Sequence, residues 1–254
     1  MIVRPAQDTE GNKVWQLIKQ PDHARLSADI AEHWGKPPFQ ELKPYYTVFQ
    51  AIERHDDGWQ GWELQPDLDQ ETGNPLSFMD TPFSDSNQLW RKSIDSVKNL
   101  GPLAQYLVAS HFYLLREQSE SADSPEGRAF LMETNLKRNP WLNEWLASSE
   151  ENTLEVAEMA LKQLRFFDWI SLWFCMAERT ESYTFQETPS GTPLVITPLS
   201  ETLYQADPWP WTNNEIEFQI PAWQIPDKKY PSKREMNQEP GIEIMLSWKL
   251  KKAK

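Results

Sequence analysis

The feature that most constrains this chain is a long stretch, about residues 22–178, in which apolar residues recur at intervals of three and four positions. This spacing is the period of an α-helix that buries one face. Prolines and capping residues divide the stretch into separate segments. The sequence predicts six helices, at 22–34, 44–57, 85–98, 102–118, 126–147 and 153–178. Pro140 lies inside the fifth and predicts a kink or a split there.

Short β-like runs lie on either side of the helical stretch. Residues 1–4 and 13–18 are typical of a hairpin, and later strands are predicted at 183–186, 194–197, 215–220 and 242–250. An isolated hairpin is only marginally stable, so we expect it to pair with the C-terminal strands in one small antiparallel sheet. The segment Asp207-Pro208-Trp209-Pro210-Trp211 is predicted to be a rigid, non-helical connector.

The length of 254 residues suits one core of ordinary size. We therefore predict a mainly α protein forming a single compact unit, 1–254. Within it, 1–20 would be the hairpin, 21–180 the helical region and 181–254 the β-rich region. The small sheet would come from the N-terminal hairpin and the C-terminal region.

Charge and composition narrow the classes of partner. A net charge of −13, with no stripe of Lys and Arg, argues against nucleic acid. The longest apolar stretch, 166–176, includes Asp168 and is far shorter than the roughly 20 residues that cross a bilayer. Cys175 is the one cysteine, and residues 1–12 contain no apolar stretch resembling a signal peptide. We expect a cytoplasmic protein whose partner is a small molecule and not a membrane.

Three histidines are predicted to point inward. His23 shares a helix face with Leu26 and Ile30, His55 shares one with Ile52, and His111 lies on the inner face of the fourth helix. A lone inward histidine is usually a core residue with one hydrogen-bonded nitrogen. Several such residues need several buried partners, and one shared metal ion is an alternative that would satisfy them together.

Two carboxylates accompany these histidines. Asp56 follows His55 directly, and Asp168 lies within the apolar sequence of the last predicted helix, with Ser171 nearby. A buried carboxylate has to be protonated, paired with a cation or bound to a metal. An arginine partner and a metal ion therefore both remain open. A set of histidines and carboxylates without cysteine suits a hard or borderline catalytic ion better than a structural zinc site.

The order His23, then His55-Asp56-Asp57-Gly58, then Asp168 resembles the H…HD…D pattern of the HD superfamily of metal-dependent phosphohydrolases. A longer likeness covers nearly the whole chain and resembles a prokaryotic family known as a domain of unknown function. The segments that carry this second likeness are Gln20-Pro21-Asp22-His23-Ala24-Arg25-Leu26, His55-Asp56-Asp57-Gly58-Trp59, Asp168-Trp169-Ile170-Ser171-Leu172 and Asp207-Pro208-Trp209-Pro210-Trp211.

The HD resemblance implies an HD-like helical bundle that binds a divalent ion, Mn, Fe, Mg or Zn. By the same resemblance, the metal ligands would be His23, His55, Asp56 and Asp168. His111 would bind a second ion or a phosphate oxygen, and Asp57 would orient a metal-bound water.

The function expected from these roles is hydrolysis of a phosphorylated small molecule by a metal-dependent phosphohydrolase. An HD-like di-iron oxygenase and a non-catalytic ligand-binding protein remain the alternatives. A phosphate clamp would come from four basic residues on predicted helices: Arg25, Lys92, Arg116 and Arg165.

Overall fold

The computed structural model describes residues 1–253. Its helices are α1 (Gln20–Ala31), α2 (Tyr45–Arg54), α3 (Phe83–Ser96), α4 (Pro102–Glu117), α5 (Pro125–Ala147), α6 (Leu154–Met176) and the short α7 (Lys233–Asn237). Its strands are β1 (Ile2–Gln7), β2 (Lys13–Ile18), β3 (Tyr183–Phe185), β4 (Leu194–Pro198), β5 (Leu203–Asp207), β6 (Glu215–Pro226) and β7 (Ile242–Lys252). The ends of the six predicted helices agree within three residues.

All seven strands belong to one sheet, in the order β1-β2-β6-β7-β5-β4-β3. The hairpin β1–β2 joins the C-terminal strands through β2, which pairs antiparallel with β6. Strand β6 then pairs antiparallel with β7 along ten residue pairs from Glu215 to Gln224. Strands β5 and β7 are parallel, so the sheet is mixed. It is curled into a half-barrel.

The predicted fold class was therefore wrong. The protein is 45% helical and 21% strand, and a seven-stranded mixed sheet replaces the small antiparallel sheet beside a helical bundle. Two differences from the predicted strands make the sheet larger than expected. Strand β5 was not predicted at all, and β6 extends to Pro226, six residues beyond the predicted end at Ile220. Strand partners come from distant parts of the chain, so periodicity within a strand does not reveal them.

A kink or a split was predicted at Pro140; the structure excludes the split, because helix α5 continues through this residue. A proline inside a helix frees the carbonyl four residues earlier, here that of Leu136. Both residues lie on the exposed side of the helix, and Leu136 is 70% exposed. Water can therefore solvate the freed carbonyl, and the helix needs no break.

The helices pack on the sheet around a large apolar core, and a smaller apolar cluster that includes Leu17, Ile225 and Met236 lies apart from it. The connector 207–211 holds the end of α1 in place, because the indole N–H of Trp211 donates to the carbonyl of Ile30 at 2.8 Å. The Trp211 ring also packs edge-on against Trp34, with centroids 5.5 Å apart. Among the described residues, no helix combines the length and apolar composition needed to cross a bilayer.

Candidate metal centre

The four predicted metal ligands lie together where α1, the end of α2 and α6 meet. The Nε2 atom of His23 is 3.1 Å from Oδ1 of Asp168 and 3.6 Å from Oδ2 of Asp56. The Nε2 atom of His55 is 3.4 Å from Oδ1 of Asp168 and 3.5 Å from Oδ2 of Asp56. Both histidines are buried, and the ion pairs of Asp168 within the described chain are all to histidines. No arginine partner of Asp168 is found there.

Hydrogen bonds on the far side of each ring fix which nitrogen faces the cluster. The Nδ1 atom of His55 lies 2.7 Å from the carbonyl oxygen of Ile52, which can only accept, so Nδ1 carries the proton. The Nδ1 atom of His23 lies 2.6 Å from Oγ of Ser171, whose hydroxyl donates to the carbonyl of Asp168. With Nδ1–H donating to Ser171, both neutral rings present an Nε2 lone pair to the cluster.

The spacing of these atoms suits a metal ion. Ligands about 2.1 Å from one ion and at right or tetrahedral angles are about 3.0–3.4 Å apart. The four contacts given above are 3.1, 3.4, 3.5 and 3.6 Å long. His23, His55 and Asp168 each offer one ligand atom, and these atoms lie within 4.8 Å of one another. The residues present therefore fit a divalent ion bound by nitrogen and oxygen.

A proton fits the same geometry less well. Asp56 and Asp168 outweigh the effect of burial and raise the pKa of His55 to about 9, so without an ion His55 takes up a proton. Burial opposes ionisation of Asp168, but its contacts with His23 and His55 hold its pKa well below the ordinary range. Yet the Nε2 atoms of both histidines lack a partner in line for a hydrogen bond within the described structure. Buried nitrogens without such partners favour an ion.

His111 lies next to the cluster on α4. Its Nε2 atom is 3.9 Å from Oδ2 of Asp168, the oxygen turned away from His23 and His55. Its ring packs edge-on against His55 with centroids 5.4 Å apart. Burial lowers the pKa of His111 to about 3, so the ring is neutral at physiological pH. Its buried Nδ1 atom has no hydrogen-bond partner among the described residues.

Asp57, by contrast, turns away from the cluster. Its carboxylate accepts from Nε of Arg54 and from Nε2 of Gln60, each at 2.9 Å. Within residues 1–253 the Asp57 carboxylate makes no hydrogen bond or ion pair with the side chains of the four clustered residues. The structure thus places Asp57 in an ion pair beside the helix end.

Gly58 allows the chain that carries His55 and Asp56 to approach α3 closely. A Cβ atom on Gly58 would lie 2.1 Å from the carbonyl oxygen of Leu89 and 2.5 Å from the backbone nitrogen of Ser93. Its own N–H donates to the hydroxyl of Ser93 at 3.0 Å. The residue is needed for this approach and not for a left-handed helix end, because its φ is not positive.

A cavity of about 890 Å³ opens beside the cluster and reaches Asp168 and His111. One wall is α6, which contributes Lys162, Arg165 and Trp169. The other wall is β3 and the loop that follows it, residues 183–191. Of the four basic residues predicted as a clamp, Arg165 alone lines this cavity. Arg25 pairs with Asp22 on the surface, Lys92 is exposed, and Arg116 is buried in a network of neutral acceptors.

Sequence reasoning missed Lys162 and Trp169. Both were detectable, since Lys162, Arg165 and Trp169 follow the helical spacing of three and four residues. It also missed Ser27, whose hydroxyl lies 2.8 Å from that of Ser171. No local pattern distinguishes that serine from others in the chain.

Comparison with protein families gives one match. Residues 1–227 match the model of a family described as "Protein of unknown function (DUF3891)". Searches of curated proteins and of solved structures gave no match. The match includes all the clustered residues, and it gives no evidence of membership in the HD superfamily. The predicted likeness to a family of unknown function is confirmed, and the chain belongs to the DUF3891 family.

Proposed function

We propose that this protein is a metal-dependent phosphohydrolase acting on a phosphorylated small molecule. The observation that carries the proposal is the pair of buried Nε2 lone pairs, on His23 and His55, that face the carboxylates of Asp56 and Asp168. Lone pairs and carboxylates repel one another at these distances, so the cluster needs either protons on the rings or a metal ion. The Nε2 atoms have no hydrogen-bond partner within the described structure, which favours the metal ion. The H…HD…D order of these residues along the chain is that of the HD superfamily, and it supports the same chemistry.

Mn, Fe, Mg and Zn are the candidate ions for this set of imidazole and carboxylate ligands. When bound, such an ion supplies Lewis acidity towards water and towards a phosphoryl oxygen. The two carboxylates carry two negative charges and the two neutral imidazoles carry none. Together they balance the charge of one divalent ion. The Ser171 hydroxyl and the Ile52 carbonyl orient the two rings.

The remaining residues at the cavity suit an anionic substrate. Arg165 is half-buried, and its neighbour within hydrogen-bond distance in the described chain is the neutral amide of Gln118, at 3.3 Å. Its guanidinium is thus free to hold phosphate oxygens. We place His111 as a neutral group that exchanges a proton with, or hydrogen-bonds, an oxygen of the bound phosphate, because it lines the cavity next to Asp168.

A di-iron oxygenase is the second candidate. One oxygen of Asp168 lies closest to His23 and His55 and the other lies closest to His111, so Asp168 would be able to contribute a ligand to each of two ions. A second ion at His111 has fewer protein ligands than the first, so we rank this function below hydrolysis.

Metal analysis combined with a phosphate-release assay tests the proposal. Protein purified without air should contain stoichiometric divalent metal and release inorganic phosphate from a panel of phosphate monoesters. EDTA should abolish release and added Mn²⁺ should restore it. Asp56→Asn should lose most of the activity, whereas Asp57→Asn should keep it. Two irons with no phosphate release would support the oxygenase, and a folded protein that binds no metal would refute both.

A further inference from the structure

The cavity beside the metal centre is lined by both basic and aromatic side chains. Lys162, Arg165 and Trp169 lie on successive turns of one face of α6. Tyr183 lines the cavity from β3. The basic groups suit an anion, whereas the aromatic rings suit a flat apolar surface, and one ligand can satisfy both.

The two basic residues have no acidic partner. Neither Lys162 nor Arg165 takes part in an ion pair within residues 1–253, although the chain carries 38 acidic residues against 25 basic ones. Glu187 is the one acidic group besides Asp168 among the lining residues. Two cationic side chains without acidic partners on one wall favour the binding of a negatively charged ligand there.

Trp169 and Tyr183 expose large parts of their rings at this cavity. Trp169 is 46% exposed, and no other aromatic ring of the described chain packs on it. Tyr183 is 38% exposed and is held by edge-on packing on Phe185, with centroids 4.8 Å apart. Tyr183 therefore has a firm position, and the Trp169 ring has a free surface. Rings in this state stack on planar ligands.

The spacing between the two kinds of residue sets the size of the ligand. Arg165 and Trp169 are four residues apart on α6, so their Cβ atoms are about 5–6 Å apart. Asp168 precedes Trp169 directly, which places the metal centre at the same end of the wall. Arg165 and Trp169 can thus contact neighbouring parts of one ligand. Inorganic phosphate alone would leave most of the 890 Å³ cavity unfilled.

We propose that the ligand of this cavity is a phosphate monoester whose alcohol part carries a planar ring. The phosphate lies between Arg165 and the metal centre, and the ring lies on Trp169. The role of the phosphate rests on the proposed function. The planar ring is inferred from Trp169 and Tyr183 alone.

Hydrogen bonds within the loop opposite α6 hold it in position as the far wall of the cavity. The hydroxyl of Thr188 donates to the carbonyl of Thr192 at 2.7 Å, and the N–H of Gly191 donates to the carbonyl of Thr188 at 3.0 Å. Gly191 has a φ of +74°, which glycine adopts without strain. Gln186 and Glu187 also line the cavity and can bind polar substituents of the ring.

The proposal that the ligand carries a planar ring can be tested by measuring calorimetric affinities for matched ligands. Phenyl phosphate and cyclohexyl phosphate carry the same charge and rings of similar size, but phenyl alone is planar. We expect phenyl phosphate to bind about 3- to 10-fold more tightly, the range of an aromatic pair. Affinity is the measurement, because the two leaving groups differ in acidity and their rates are not comparable. The esters are titrated in EDTA, which stops the proposed reaction, and with metal present they are replaced by phenylphosphonate and cyclohexylphosphonate, whose P–C bond is not hydrolysed. A second pair, adenosine 5′-monophosphate and ribose 5-phosphate, shows whether the ring is a nucleobase or a smaller aryl group.

Substitutions test whether Trp169 causes the preference for phenyl phosphate. Trp169→Leu should remove the preference for phenyl phosphate, and Trp169→Phe should retain most of it. Trp223→Leu is the matched control, because Trp223 is 45% exposed and does not line this cavity. Arg165→Gln should weaken both esters by similar factors. Equal affinities for phenyl and cyclohexyl phosphate, or a preference that survives in Trp169→Leu, would overturn the inference.

The planar ring of the ligand and the hydrolysis of its phosphate are separate claims, and experiments can contradict one without the other. Metal-dependent release of phosphate from both esters with no difference in affinity would overturn the ring and leave the proposed function standing. A preference for phenyl phosphate that persists in EDTA, in a protein that binds no metal, would support the ring and overturn the hydrolase.

Discussion

The Nε2 atom of His23 lies 3.1 Å from Oδ1 of Asp168, and neither atom faces an arginine or a lysine within the described chain. If this contact is part of a metal site, Asp168→Asn should weaken metal binding and leave the fold intact, because it removes a ligand charge and keeps the volume. Added Mn²⁺ should raise the melting temperature of the wild type and raise that of the variant much less. Equal shifts would exclude Asp168 as a ligand.

Ser171→Ala should weaken the metal site without removing a ligand. The Ser171 hydroxyl contacts Nδ1 of His23 at 2.6 Å, and without it the proton is free to move to Nε2, where it blocks the metal. Loss of such a partner typically costs about 10- to 100-fold in metal affinity. Competition with a fluorescent chelator measures it. Ser110→Ala is the control, because Ser110 is also buried and its hydroxyl makes no hydrogen bond to the clustered side chains within residues 1–253. Unchanged affinity in Ser171→Ala would contradict the role.

Gly58→Ala should destabilise the protein, whereas Gly61→Ala should not. The new Cβ at position 58 would lie 2.1 Å from a backbone oxygen of α3, whereas none of the surrounding atoms lies within 4 Å at position 61. Overpacking of this kind typically costs about 1–3 kcal/mol, and the helical φ and ψ of Gly61 accept alanine. Urea unfolding of both variants gives the comparison. Similar stabilities would show that α3 can move away.

Arg116→Lys should cost about 2–3 kcal/mol of stability, because it removes several buried hydrogen bonds of one guanidinium. Arg116 is 1% exposed and donates to Asn87, Ser86 and Ser121. Its guanidinium also lies over the Trp90 ring at 4.6 Å.

Arg91→Lys is the control for that substitution. Arg91 pairs with Glu133 where both side chains are 38% exposed, and such a pair contributes about 1 kcal/mol or less. Chemical denaturation measures both changes. A loss in Arg116→Lys no larger than that in Arg91→Lys would show that the buried network adds little.

Cys175 should be unreactive in the folded protein. Burial raises the pKa of its thiol to about 12, and the residue is fully buried. At pH 8 about one thiol in 10⁴ would be ionised, against roughly a quarter at an ordinary pKa of about 8.5. A disulfide reagent should therefore label the denatured protein within minutes and spare the native one. Rapid labelling of native protein would indicate that α6 opens.

The local sequence was enough to define the helices and several of their inward residues. His23, His55 and Asp168 were predicted to face the interior because each repeats the helical spacing of its apolar neighbours, and helical periodicity is local. The convergence of His23, His55, Asp56 and Asp168 followed from the need of buried polar groups for partners. Asp57 had the same local appearance, but its carboxylate is held by Arg54 and Gln60.

The tertiary structure decided what depends on distant parts of the chain. The parallel pairing of β5 with β7 brings Tyr204 beside Leu250, and no local pattern in either strand predicts that partner. In the same way, β3 and its loop close the cavity over Arg165 and Trp169, so a substrate site appears where α6 alone offers only an exposed face. Hydrogen bonds between strands and contacts between cavity walls are made by residues far apart in sequence, so packing of the whole chain selects them and local propensity does not.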